Sequence, residues 1–361
     1  MARPVARRCR PRLPAELTGT IPRPAGHPTT TTETRMTTNE WLHPRGSLGR
    51  DGWETVVDGS LPGWEHTGLR VAVLAEGDAL ELAASGVERM VVPLAGSFAV
   101  RHREGDGDER ATDLAGRASV FAGPTDVLYL SCTSTAVVTG SGRVAVAESP
   151  ATRHVPSRRL ARADVPVELR GAGRSSRQVH NFGTPGTPGS LDAERLIVCE
   201  VLTPAENWSS YPAHKHDEEK PGEESRLEEI YYFETAVGRA LDAPADADPF
   251  GLFHTSSSPA GEIAIDAVVR TGDVVLVPYG YHGPAVAAPG YDLYYLNVMA
   301  GPGADRAWLI SDHPAHSWIR GTWAGQEIDP RLPFAPDDAA AAADAAAPAP
   351  APAPDQEAPA R

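Results

Sequence analysis

His214 and His216 stand two residues apart in Asn207-Trp208-Ser209-Ser210-Tyr211-Pro212-Ala213-His214-Lys215-His216-Asp217. Side chains at i and i+2 of an extended strand leave the same face, so one strand aims both imidazoles at one point. Glu229 heads a second run, Ile230-Tyr231-Tyr232-Phe233, whose β-branched and aromatic residues favour a strand. The polar stretch Asp217–Glu228, with Pro221-Gly222, reads as a hairpin loop that folds Glu229 back beside the histidines. A third histidine, His282, follows the apolar run Val274–Val277 in Pro278-Tyr279-Gly280-Tyr281-His282-Gly283-Pro284. Three imidazoles and one carboxylate make a donor set for a divalent transition metal, with positions left open for substrate. Glu229 is the expected carboxylate rather than Glu228, because Glu229, Tyr231 and Phe233 share one strand face. A lone His-x-His is more often a solvated pair; the carboxylate and the Gly-Tyr-His-Gly-Pro turn favour a metal site. The set suits Zn²⁺, Mn²⁺, Fe²⁺ or Ni²⁺ and does not choose among them.

The elements that must position these residues are short strands. Leu69–Leu74, Val87–Leu94, Phe98–His102, Val127–Leu130, Ala136–Val138 and Val144–Ala147 follow one another with turn residues between them. A second cycle runs through Leu196–Val201, the histidine strand, Glu229–Phe233, Gly251–His254, Ile263–Ile265, Ala267–Val269, Val274–Val277 and Tyr294–Met299. Long amphipathic helices are nearly absent. The two cycles share a rhythm, so the expected fold is all-β, two tandem β-barrels with few short helices. Expected boundaries are a disordered basic extension over 1–35, a first barrel over 36–170, a second barrel over 171–335, and a disordered Ala/Pro/Asp tail over 336–361. Met36 is an alternative start. Only the second cycle has the histidines; the equivalent strand of the first, near Val87–Val92, offers Glu88 and Arg89 but no histidine pair, so the metal is expected in the second barrel alone.

Composition narrows the classes. The 361 residues carry a formal charge of −15 and no basic stripe, which argues against a nucleic-acid partner. No apolar run reaches the roughly 18–20 residues needed to cross a bilayer, and the N-terminus lacks the apolar segment of a secretory signal. Cys9, Cys132 and Cys199 are too few and too far apart for a disulfide framework and suit a reducing, cytoplasmic compartment.

A duplicated jelly-roll barrel with His-x-His, Glu and a distant His resembles the cupin superfamily, although Asp217–Glu228 lengthens the usual gap before the Glu. The chain from about Trp41 to Phe334 resembles one family within it, the 5-deoxy-glucuronate isomerase family of inositol catabolism. The resemblance lies in Asn207–Asp217, in Leu227-Glu228-Glu229-Ile230-Tyr231-Tyr232, in Asp273–Pro284 and in Pro289–Gly301. Ala213 departs from it, since a second Pro is expected there, but Ala213 is not a ligand. The resemblance implies a bicupin enzyme, an aldose–ketose isomerase converting 5-deoxy-D-glucuronate to 2-deoxy-5-keto-D-gluconate through a metal-stabilised enediolate. The implied partner is a small sugar-acid substrate, and a homo-oligomer is compatible with it. Rival readings on the same barrel are a metal-dependent dioxygenase and a non-catalytic sugar-binding cupin.

Moving a carbonyl from C1 to C2 needs either a base that shuttles a proton or a direct hydride shift. Residues near the ligands that could serve are His180, Glu228, Tyr231 and Tyr279, with Asp217 beside them. The substrate carboxylate asks for a fixed cation. Arg177 is the first candidate; Lys215 is the second, although strand alternation turns it away from the metal. Trp208 and Tyr281 are expected to wall the pocket, and each reads equally well as core.

Overall fold

The computed structural model describes residues 39–239 and 241–335. The expectations for 1–35, Met36 and 336–361 lie outside the described residues. Within them the chain is built from antiparallel strands, and its helices are the short 3₁₀ segments Val120–Ala122, Arg162–Asp164, Gly173–Ser175 and Ser317–Thr322.

The first half forms one eight-stranded sheet. Its backbone is the pair Val87–Glu104 and Ser134–Pro150, in register from Val87 opposite Pro150 to Glu104 opposite Ser134. The second half forms a seven-stranded and a six-stranded sheet. Tyr231 and Phe233 from the first of these meet Phe253, Ile265 and Ala285 from the second in one core. The two halves exchange chain. Leu42–His43 adds to the edge strand Val274–Val277 of the second half, and Val167–Arg170 ladders onto Arg177–His180. The sheets therefore divide the chain differently from the 170/171 boundary expected from the sequence.

Period-2 alternation sorts each strand between two layers. In Ile197–Thr203, Ile197, Cys199 and Val201 face the interior of the second barrel, while Val198 and Leu202 face a core shared with the first half. In Val127–Leu130, Leu128 and Leu130 fill the first barrel, and Val127 and Tyr129 face the shared core. These strands are apolar on both faces because both are covered. The shared core also buries charge. Arg117 of the first half reaches Glu200 of the second, with Nη1 at 3.0 Å from Oε2, and both side chains are fully enclosed.

Candidate metal centre and its pocket

The strand His214–Lys215 pairs with Tyr281–Ala287, and His214 lies opposite His282 in register. That pairing needs Gly283: its φ is +93°, and an added Cβ would lie 1.8 Å from the Ser210 carbonyl oxygen. The ring centroids of His214 and His282 are 4.6 Å apart, and those of His216 and His282 are 4.7 Å apart. Glu229 comes from the opposite sheet, and its Oε2 lies 3.0 Å from Nε2 of both His216 and His282. Alternation turns Glu229 inward with Tyr231 and Phe233.

Each imidazole has a fixed tautomer. His216 Nδ1 donates to the Leu227 carbonyl at 3.3 Å, His282 Nδ1 to the Gly280 carbonyl at 3.1 Å, and His214 to the Pro212 carbonyl. A carbonyl only accepts, so Nδ1 of His216 and of His282 carries the proton and the Nε2 lone pairs turn to Glu229. His282 Nε2 is buried and makes no hydrogen bond among the described residues. Lone pairs aimed at a carboxylate oxygen call for a cation between them. Burial pushes the Glu229 carboxyl up, but positive charge shared with His216 and His282, as a proton or a cation between them, outweighs it and holds it at about 2. Burial, reinforced by His282 and His216, pushes His214 well below its ordinary value. Against burial, Glu229 lifts His216, so there a proton competes with a cation for Nε2. Neutral imidazoles and an ionised carboxylate are the protonation state that a metal takes. The four residues fit a divalent ion.

The lysine between the two histidines works on the other side of the strand. Lys215 Nζ donates to Asp217 at 2.6 Å, Glu218 at 2.7 Å and Glu224 at 2.8 Å. Asp217 also accepts the Gly280 N–H at 2.9 Å, and Glu224 accepts the backbone N–H of Asp217 at 3.0 Å. These bonds tie the Asp217–Glu228 loop to both histidine segments at Asp217 and Glu224. The other acidic cluster with metal-ligand spacing, Asp217, Glu218 and Glu224, is thus filled by the Lys215 ammonium.

A solvent-open cavity lies on the centre, with His214 and Glu229 in its wall. Arg170, Arg177 and Arg320 also line it. Arg320 is forked onto Asp312 at 2.6 and 2.8 Å. Its guanidinium and that of Arg177 each sit over Trp323, at 5.4 and 5.6 Å. Arg170 pairs with Glu168 at 2.8 Å. Tyr231 lines the cavity, its hydroxyl 3.2 Å from Ser210 Oγ, and burial pushes its pKa well above the ordinary value.

The other residues expected near the metal are placed elsewhere. His180 is on the outer face of its strand, its Nδ1 at 2.8 Å from Glu200, because Arg177 and Val179 take the inner face. Glu228 points the other way from Glu229. Its carboxylate accepts the N–H of Glu65 at 2.9 Å, His66 at 2.8 Å and Thr67 at 3.2 Å, which ties the second half to the first. Lys215 is caged by carboxylates. Tyr279 packs over Gly261, Tyr281 stacks edge-on against His313 at 4.6 Å, and Trp208 is 41% exposed against Tyr211. None of these six lines the cavity. Sequence reasoning missed Arg170, Arg320, Asn297 and Trp308, all in its wall. Asn297 alone carried a signal, a polar residue inside Leu293-Tyr294-Tyr295-Leu296-Asn297-Val298-Met299.

Known proteins resemble this chain in sequence and fold. The chain is 37% identical over 281 residues to the 5-deoxy-glucuronate isomerase of Geobacillus kaustophilus, covering 76% of this chain and 94% of that one. It is 35% identical to the 5-deoxy-glucuronate isomerase of Listeria innocua, over 79% and 97% of the two chains. The crystal structure of an IolB-like protein from Salmonella typhimurium superposes with a TM-score of 0.67 at 33% identity, covering 77% of this chain and 98% of that one. Oxalate decarboxylase from Lactobacillus farciminis matches with a TM-score of 0.53 at 11% identity, over 75% and 88% of the two chains, which shows the cupin fold alone. The model of the KduI/IolB family matches residues 41–319. The chain belongs to the KduI/IolB family.

Proposed function

We propose that the protein is an aldose–ketose isomerase that converts 5-deoxy-D-glucuronate to 2-deoxy-5-keto-D-gluconate on the route from myo-inositol. The observation that carries this reading is the cluster of His214, His216, Glu229 and His282, which reaches through His214 and Glu229 into the wall of a cavity lined by three arginines. A divalent ion held by these four side chains, whether zinc, manganese, iron or nickel, would supply Lewis acidity toward two neighbouring oxygens of a sugar.

The remaining roles belong to the chain itself. Arg177 and Arg320, whose guanidinium groups line the cavity, supply the positive charge for the substrate carboxylate. Tyr231, kept protonated by burial, donates its hydroxyl to the oxygen on which negative charge grows as the carbonyl moves from C1 to C2. Tyr231 and Tyr295 exclude water from the same wall. Cys132 and Cys199 are free, buried thiols, which supports a reducing, cytoplasmic setting. Among the described residues no helix is long and apolar enough to cross a membrane.

The test is to purify the protein, determine its metal, and follow 5-deoxy-glucuronate by NMR with and without a chelator. The expected result is formation of the keto acid, abolished by chelation and in His216→Ala. Bound metal with unchanged substrate would sink the reaction and move weight to the oxygenase.

A further inference from the structure

The cavity wall holds two donors that neither the centre nor the arginines use. Asn297 is 3% exposed and shares the inward face of its strand with Tyr295 and Met299. Its Nδ2 is buried and has no hydrogen-bond partner among the described residues. Trp308 Nε1 is in the same condition. Its ring lies 5.7 Å beneath the Arg170 guanidinium. Both residues line the cavity with His214 and Glu229. A buried donor without a partner costs stability that an apolar residue of the same shape would not.

The first barrel shows what that position holds where there is no such centre. Asn297 lies opposite Tyr231 and Cys199. In the first barrel, Val146 lies opposite Val91 and Arg70, and Arg89 and Glu148 precede and follow that pair as Glu229 and Met299 do in the second. Valine satisfies the strand there, so the amide at 297 is not demanded by the fold.

Both donors are neutral N–H groups with no charge of their own. They fit the hydroxyl oxygens of a polyol chain. With the amide turned round, Asn297 accepts from a hydroxyl instead, and the ligand class is unchanged. We propose that Asn297 and Trp308 are specificity-determining residues that read hydroxyl groups along the substrate chain, so that the pocket rejects carboxylic acids lacking them. The inference rests on the sugar-acid reading above for the identity of the substrate, but not for the discrimination itself.

The test uses calorimetry on the full chain with its metal and two six-carbon acids, D-gluconate and hexanoate. Wild type should bind gluconate more tightly than hexanoate. In Asn297→Leu and Trp308→Phe, gluconate affinity should each fall at least about tenfold, with hexanoate affinity and metal content unchanged. The melting temperature of Asn297→Leu should hold or rise. Unchanged gluconate affinity in both folded variants would mean that the donors meet ordered water only, and would overturn the proposal. An equal loss for both acids would overturn it too, as general damage to the pocket. Should Asn297→Leu fail to fold, Trp308→Phe alone decides. If wild type discriminates but does not isomerise, the proposed function falls while this inference is judged on the variants; if it isomerises and the variants still discriminate, the reverse holds.

Discussion

At one strand position the two barrels hold opposite charges. Glu229 in the second lies opposite Met299 and Val277; Arg89 in the first lies opposite Glu148 and Leu130. Glu229 turns into a cluster of imidazoles. Arg89 turns onto Glu148 at 2.7 Å, and Arg70 meets the other oxygen of that carboxylate at 2.9 Å. A side-chain cation thus stands in the first barrel where the second has an imidazole cluster that could hold a metal cation. The residue just before each behaves alike in both. Glu88 accepts the N–H groups of Glu194, Arg195 and Leu196 at 2.7 to 2.8 Å, as Glu228 accepts those of residues 65–67. Each barrel reaches into the other with the same carboxylate, and the alternate residue decides what each interior can do. Function here depends on one strand face, while the joint between the barrels depends on the other.

The sharpest way to break the comparison is to remove the distinguishing residue from each side. His282→Ala should leave the fold cooperative but strip the metal and lower kcat/KM by roughly a thousandfold or more, since several kcal/mol of Lewis-acid stabilisation goes with it. Arg89→Met should do the opposite. Metal content and kcat/KM should stay at wild type, while unfolding free energy falls by about 3 kcal/mol because Glu148 loses a buried partner. Metal analysis, steady-state kinetics and denaturant titration on both proteins check this. If Arg89→Met loses metal, the barrels are coupled and the division of labour fails.

A smaller effect tests the shared joint. Glu88→Gln and Glu228→Gln each weaken charge-assisted bonds across the halves, and each should cost about 1–3 kcal/mol. Glu88→Gln should cost more, since Glu88 is fully buried and also accepts the Tyr129 hydroxyl at 2.7 Å. Neither should alter metal content. Loss of metal in Glu228→Gln would move Glu228 from the joint to the centre.

How far the sequence revealed this turns on alternation. Period 2 is enough to send Glu229 inward and Glu228 outward, and to turn Lys215 away from His214 and His216. The same rule, anchored on Arg177, puts His180 on the outer face; reading His180 by its chemistry instead of its phase placed it at the metal. The partners of Glu228 lie some 160 residues upstream, and no local pattern announces them. Trp308 sits in the irregular stretch after Ala300 and Arg320 in the short 3₁₀ segment Ser317–Thr322, and no hydrophobic period fixes a direction in either. Arg170 joins the second sheet from a strand that the expected boundary assigned to the first barrel.

The least effect expected is a pH dependence seated between the barrels. Glu200 there meets Arg117, His180 and the Tyr294 hydroxyl, the last at 2.8 Å. Burial pushes the Glu200 carboxyl up, but the Arg117 charge overrides it and holds it at about 2. Burial also pushes His180 down from its ordinary value, against the pull of Glu200. In both cases the folded protein binds fewer protons than the unfolded chain, so both contributions are complete at neutral pH and shrink on acidification. The His180 share fades first, as pH falls through and below the ordinary imidazole value of 6.5. The Glu200 share follows, between the ordinary carboxyl value and about 2. Metal binding would itself depend on pH, so the measurement belongs in the His282→Ala background, where the metal is expected to be lost. There, the unfolding free energy from guanidinium titration should fall steadily from pH 7 to pH 5, by at most about 1.4 kcal/mol per pH unit for one titrating group. Adding His180→Gln should flatten that limb and leave the steeper loss below pH 4.5 intact. An unchanged slope in the double variant would assign the acid sensitivity to other groups and leave the joint between the barrels indifferent to pH.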